Sequence, residues 1–319
     1  MEPGRFCSTA RVVIVAGKGG VGKTTVTAAL AVMAARAGLS VLIVEVEGKS
    51  GLAAALGGSA LGYEEAEVRQ GIRARTLTPD DALLDYLNSH GLKRISKRLA
   101  SSGALDVVAT AVPGMKDILV LGKVKALDLE RVADLIVIDA PAAGHAVSFL
   151  MSPRGLLDAV RVGPVRKQAA DVIELLSDPG RCQVLLVTIP EETPVTELVE
   201  TAFAIEDRVG VALGPVVVNG CYEPLDLDGG PDAESVQRDA ERVGVFVSER
   251  ETRDLVAAAA FRRARYEVQQ EQADRLAREL PLPQLRLPFL FSAEIGPAEV
   301  DRLADALARE VEALDGTGT

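Results

Sequence analysis

Residues 11–25 read Arg11-Val12-Val13-Ile14-Val15-Ala16-Gly17-Lys18-Gly19-Gly20-Val21-Gly22-Lys23-Thr24-Thr25. The β-branched run Val12 to Val15 favours a strand. Glycines at 17, 19, 20 and 22 follow, then Lys23-Thr24-Thr25 and an alanine-rich helical pattern to Arg36, stopped by Gly38. Strand, glycine-rich loop, Lys-Thr and helix is the order a phosphate-binding loop requires. Glycine lets the backbone wrap closely around an anion, because nothing projects from its Cα. Successive N–H groups then point inward, and the helix adds its positive N-terminal end. Gly17 to Thr24 matches G-x-x-x-x-G-K-[ST] strictly. Gly19, Gly20, Val21, Gly22, Lys23, Thr24 and Thr25 are therefore the expected phosphate cradle. Lys23 would reach the β- and γ-phosphates, and the Thr24 hydroxyl would sit on Mg²⁺.

The rest of the chain narrows the class. It has 319 residues, 48% hydrophobic and only 3% aromatic, with a net charge of −11. That length carries one large α/β domain or two small ones. No basic, aromatic-interleaved stripe occurs, so nucleic acid is not an expected partner. Cys7, Cys182 and Cys221 are scattered, with no CxxC to suggest a zinc or redox pair. Few cysteines and no signal-like segment lead to a cytoplasmic expectation. No apolar run approaches the roughly 20 residues of a membrane span.

Outward from the loop, residues 1–10 read as a loose arm. Ser40 to Val46 is a second, almost wholly apolar strand, as expected for a parallel strand covered on both faces. It runs into Glu45 and Glu47 at the ligand edge of the sheet, where two acids beside a phosphate site are costly without a role. Ile72 to Leu77 is a candidate short strand, and Pro79 opens a helix to Ser89. Further helical patterns cover Leu92 to Ser101, Leu105 to Ala111 and Met115 to Arg131. Asp134 to Asp139 is another strand. It places Asp139 at its carboxyl end as the acid for an Mg²⁺-bound water, ahead of Pro141, Gly144 and His145. A helix is expected over Ala146 to Met151, then a stretch beginning at Ser152-Pro153, reaching Ser177 and interrupted near Gly163-Pro164. Cys182 to Ile189 and Gly214 to Asn219 are strands. Thr193 or Thr196 caps the helix between them. The Asn219 amide suits an adenine edge, and the N-K-x-D pattern that guanine favours is missing, so ATP is preferred to GTP. Helices follow over Ala233 to Val243 and Glu249 to Leu280. Arg262, Arg263 and Arg265 read as a solvated face balanced by Glu267 and Glu271. A short strand at Leu285 to Leu287 and a helix from Pro297 to about Leu314 end the order.

Position two of the loop is Lys18. The sequence G-K-G-G-V-G-K-T-T, the acid at 47 after the second strand, the D-x-P-x-x-G-H run Asp139 to His145 and Asn219 together resemble the anion-transporting ATPase family. That family includes the ArsA arsenite-pump ATPases and the Get3 tail-anchored-protein targeting factors, and the resemblance covers nearly the whole chain. It implies an α/β fold: a doubly wound, mostly parallel sheet of the deviant Walker A class, with a helical insertion subdomain. A single domain over residues 1–319 is implied, with the insertion at about 53–132 and a further helical segment at about 152–177. It also implies an ATP- and Mg²⁺-dependent dimer in which Lys18 acts on the partner's nucleotide. The catalytic set would be Lys18, Lys23, Glu47 and Asp139, the metal set Thr24, Glu47 and Asp139. Asn219, Pro288 and Phe289 would lie along adenine.

Glu47 departs from the family's aspartate by one methylene; it orients the attacking water or binds Mg²⁺ through water. His145 either senses the nucleotide at the dimer interface or caps the following helix. The helices between the second strand and Asp139 form a client surface or pack ordinarily. Cluster cysteines, a Met-rich groove and a basic membrane helix are all missing, which argues against nitrogenase iron protein, the eukaryotic targeting factor and MinD-like roles. The expected activity is an ATPase whose nucleotide cycle gates a protein client, as a homodimer or with a paralogue, without direct membrane insertion. The alternative is a weakly hydrolysing scaffold subunit paired with a paralogue.

Overall fold

A computed structural model describes residues 1–46, 51–89, 91, 94, 114–225 and 232–314. The side chains of residues 89 and 142–145, His145 among them, lie outside that set, as do Glu47, the pattern over Leu105 to Ala111 and, apart from residue 94, the pattern over Leu92 to Ser101.

In chain order the elements are α1 (Pro3–Cys7), β1 (Val12–Gly17), α2 (Lys23–Arg36), β2 (Val41–Val46), α3 (Gly51–Leu56), β3 (Ala66–Arg69), β4 (Ile72–Leu77) and α4 (Pro79–Ser89). Then come α5 (Met115–Glu130), β5 (Leu135–Ala142), α6 (Ala143–Ala159), α7 (Pro164–Ser177), β6 (Cys182–Thr188), α8 (Glu192–Arg208), β7 (Ala212–Leu213) and β8 (Val216–Cys221). Last are α9 (Ala233–Arg242), α10 (Glu249–Glu279), β9 (Gln284–Pro288) and α11 (Pro297–Ala313).

The strands form one sheet in the order β3-β4-β2-β5-β1-β6-β8-β9, with β7 beside β6. All pairings are parallel except β3 with β4. β1 is central, buried along its whole length between β5 and β6. Its alternate residues divide the core. Val12, Ile14 and Ala16 face the side covered by α5, α6, α7 and α8, whereas Val13 and Val15 face α1, α2, α3 and α11. α2 is buried continuously from Val26 to Ala34, because the sheet covers one side and α11 the other.

Several expectations change. The N-terminal arm is a short helix starting at Pro3, with Phe6 and Cys7 buried against α2 and α11; two apolar side chains suffice to dock it. Beyond the five or six strands expected, the edge strand β3 and the two-residue β7 extend the sheet. No helix begins at Ser152-Pro153, since α6 runs through Pro153 to Ala159. Pro153 cannot donate to the carbonyl of Phe149, and the Ser152 hydroxyl donates to it instead at 2.8 Å. α8 starts at Glu192 without a side-chain cap, and the Thr196 hydroxyl bonds back to the Glu192 carbonyl. Arg265 pairs with Glu191, the residue just before α8, at 2.8 Å rather than with Glu267 or Glu271. Among the described residues no helix is long and apolar enough to cross a membrane.

At the amino ends of β1 and β6 lies a buried charge cluster. Asp128, near the end of α5, is fully buried. It accepts from Arg11 at 2.6 Å and from Arg181 Nε and Nη2 at 3.0 and 2.6 Å. The cluster ties α5 to two central strands from below, leaving the carboxyl edge for the loop.

Candidate active site

The carboxyl edge of β1 opens into the glycine loop, and the local geometry accounts for its composition. A Cβ on Gly17 would overlap the Val187 carbonyl oxygen of β6. Gly20 and Gly22 adopt φ of 87° and 91°, the left-handed region that favours glycine. A Cβ on Gly22 would also overlap the Asn219 amide. Lys23 opens α2 nearly buried, and its ammonium donates to the Lys18 carbonyl at 3.1 Å, spanning the loop. Val21 is buried beneath.

Thr24 and Asp139 meet. β5 pairs with β1 so that Asp139 stands opposite Val15, and the Thr24 hydroxyl donates to Asp139 Oδ2 at 2.6 Å. Asp139 is only 5% exposed. A hydroxyl and a carboxylate at a helix N-terminus are hard oxygen donors, the set Mg²⁺ takes when phosphates and water complete its octahedron. The residues present therefore fit the ion expected with a nucleotide. Thr25 follows in the same turn of α2.

The acid within β2 is also placed. Glu45 stands opposite Asp139 and is buried, accepting from the Thr76 hydroxyl at 3.1 Å. A parallel register puts both acids on the same sheet face.

Lys18 points out of the loop and bonds within its own chain, 2.5 Å from Glu197 Oε1 on α8. The two side chains are 36% and 40% exposed. A pair this open to water is worth about 0.2–1 kcal/mol and is easily exchanged.

On the other flank, the Asn219 amide donates to the Val21 carbonyl at 2.9 Å, holding the loop to β8. Pro288 ends β9 opposite Cys221, and the Phe289 N–H donates to the Cys221 carbonyl at 2.8 Å. Phe289 packs against Tyr222 and Phe291, with ring centroids 4.9 Å away in each case. Arg262 stands over Phe291 at 5.4 Å. These side chains, with Arg302 and Arg309, line a cavity of about 390 Å³. Tyr222, Phe291 and Arg262 were not anticipated. The usable signal was Phe289-Leu290-Phe291, whose alternation places two rings on one side of an extended segment.

The structure thus brings Lys23, Thr24, Asp139 and Asn219 around one loop and puts Pro288 and Phe289 beside the same sheet edge. The thiols stand apart from this chemistry. Burial pushes Cys7 and Cys182 up to about 12 and Cys221 up to about 11, so all three are neutral at physiological pH.

Comparison with known proteins gives a consistent family. The family described as anion-transporting ATPase matches residues 10–162. The ATPase BagA of Mycobacterium tuberculosis is 33% identical over 95% of this chain and 94% of its own length. A putative arsenical pump-driving ATPase of Halobacterium salinarum is 28% identical over 64% of this chain and 34% of its own. An arsenical pump-driving ATPase of Escherichia coli is 27% identical over 64% of this chain and 38% of its own.

Proposed function

The chain belongs to the anion-transporting ATPase family, and from that premise we propose that it is a Mg²⁺-dependent ATPase whose nucleotide cycle opens and closes a dimer. ATPase function follows from the family. The finer reading rests above all on the Thr24–Asp139 hydrogen bond at the mouth of the glycine loop.

Each residue has a separable task. The loop N–H groups and the N-terminus of α2 bind the β- and γ-phosphates. The Lys23 ammonium, now on the Lys18 carbonyl, moves a short way to the phosphate oxygens. Thr24 and Asp139 would hold Mg²⁺, which when bound would supply positive charge against the phosphate oxygens. Glu47, the residue that follows β2 in sequence, orients the attacking water. Asn219, Pro288 and Phe289 take the adenine. Lys18 leaves Glu197 and crosses to the partner's nucleotide, which costs little because the pair it breaks is exposed. Since each site would borrow a lysine, nucleotide binding and dimer closure are linked and hydrolysis reopens the dimer. The opening would be read by a protein client on the helices between β4 and β5.

The test is Lys18→Ala. ATP binding should change little, while turnover falls by about a hundredfold or more, the usual cost of one transition-state cation or donor. Mass measurement during chromatography should find a dimer with ADP-aluminium fluoride and less of it without nucleotide. Unchanged turnover would remove the in-trans lysine, and unchanged assembly would remove the gate.

Glu47 supports a second reading, a scaffold subunit that hydrolyses slowly and depends on a paralogue. Glu47→Asp discriminates: on the scaffold reading the wild type is nearly inactive and the variant gains turnover.

A further inference from the structure

β2 is apolar at every position but one. Val41, Leu42, Ile43, Val44 and Val46 are buried, and Glu45 between them is only 2% exposed. The strand lies inside the sheet, with β4 on one side and β5 on the other. Its alternate residues enter the cores on both faces. An apolar side chain suits such a place. A carboxylate shut away from water there is costly unless positive charge answers it.

Register decides what Glu45 meets. Asp139 of β5 stands opposite it on one side and Thr76 of β4 on the other. All three lie on the face that carries Val41, Ile43, Leu135 and Val137, the face packed against α2. Thr24 reaches Asp139 from the start of that helix. Thr27 follows Thr24 by one turn on the same side of α2 and is wholly buried. Its hydroxyl has no hydrogen-bond partner among the described residues, and Glu45 Oε1 and Asp139 Oδ1 are equally shut off from solvent. A hydroxyl at that depth calls for water. Two opposed carboxylates call for a cation, because in a low-dielectric interior each raises the cost of the other. The Lys23 ammonium is committed to phosphate oxygens in the function proposed above.

We propose that Glu45 belongs to the cation site, its carboxylate adding negative charge toward the Mg²⁺ that Thr24 and Asp139 would hold. This role rests on the Mg²⁺-dependent function proposed above. Neighbouring strands lie about 4.8 Å apart, close enough for both carboxylates to act on one ion. The Thr76 hydroxyl donates to Glu45 Oε2 at 3.1 Å, which makes Thr76 a positioning residue for the carboxylate. Glu45 thereby has a task separate from that of Glu47. The first helps retain the ion, and the second orients the attacking water. Neither task needs the partner's Lys18.

Binding of Mn²⁺, which takes the same oxygen donors as Mg²⁺, tests this on the full chain with ADP. The paramagnetic resonance of free Mn²⁺ gives the affinity. Glu45→Gln, which keeps the size and one oxygen, should weaken Mn²⁺ binding by about tenfold. ADP binding in EDTA, followed by calorimetry, should not weaken. Thr76→Val leaves the carboxylate but removes its guide, and should weaken Mn²⁺ binding by a smaller factor. Circular dichroism checks that both variants fold. A folded Glu45→Gln with wild-type Mn²⁺ affinity overturns the proposal. So does an equal loss of ADP binding in EDTA, which marks a disturbed loop. If Glu45→Gln does not fold, Thr76→Val with wild-type Mn²⁺ affinity overturns it. Should the wild type itself retain no Mn²⁺ with ADP, the Mg²⁺-dependent reading fails and this role with it. A wild type that retains Mn²⁺ beside an unaffected variant removes the role of Glu45 alone.

Discussion

Two contacts made by single side chains define the candidate site. The Thr24 hydroxyl reaches Asp139, and the Asn219 amide reaches the Val21 carbonyl. The first predicts that Thr24→Ala lowers turnover by about a hundredfold and raises the Mg²⁺ concentration for half-maximal rate, whereas Thr24→Ser, which keeps the hydroxyl, retains most activity. Steady-state rates against Mg²⁺ concentration check this; equal losses in both variants would place the effect in packing of the methyl group. The Asn219 amide holds the loop to β8 through the Val21 carbonyl. The same amide lies so close over Gly22 that a side chain there would have no room.

At the scale of elements, the site depends on how α5, β1 and β6 are held at the opposite end of the sheet. Asp128 is fully buried between two arginines, each less than one-third exposed. Removing the carboxylate strands two partly buried guanidinium groups. Asp128→Ala should therefore destabilise the fold by about 3–5 kcal/mol, the usual cost of breaking a buried ion pair from one side. Urea unfolding followed by circular dichroism measures it, and a change well under 1 kcal/mol would mean that water replaces the carboxylate. α6 teaches a related lesson. Proline within a helix usually ends it, yet the Ser152 hydroxyl takes the freed Phe149 carbonyl, so the helix continues.

For the whole molecule, the loop joins β1 to the ends of β6 and β8, so ligand binding there is felt globally. MgATP at a hundred times its dissociation constant should stabilise the native state by about 2.7 kcal/mol. Differential scanning fluorimetry should report a raised melting temperature for the wild type and none for Lys23→Ala. A wild-type melting temperature indifferent to MgATP would deny the loop its nucleotide. Much of this organisation was legible in advance because its signals are local. A β-branched run, glycines at fixed offsets and Lys-Thr before a helical pattern each constrain their own backbone. Parallel strands buried on both faces advertise themselves as unbroken apolar runs, so β1, β2, β5, β6 and β8 were readable.

What stayed hidden depends on partners distant in sequence. β3 has exposed or half-buried residues and no apolar run, and it is a strand because β4 lies beside it. Residues 1–10 read as an arm, since two buried side chains in a short helix make no pattern until α2 and α11 supply a surface. Arg265 was assigned to acids on its own helix, but its partner Glu191 is 74 residues away. By itself, then, the sequence determined the phosphate loop, the parallel α/β core and the family, because spacing along the chain encodes backbone geometry and burial. Only the tertiary structure decided that Thr24 bonds Asp139, that Lys18 rests on Glu197 and that Glu45 is buried opposite Asp139. Those are meetings between residues that the chain order keeps far apart and packing alone brings together.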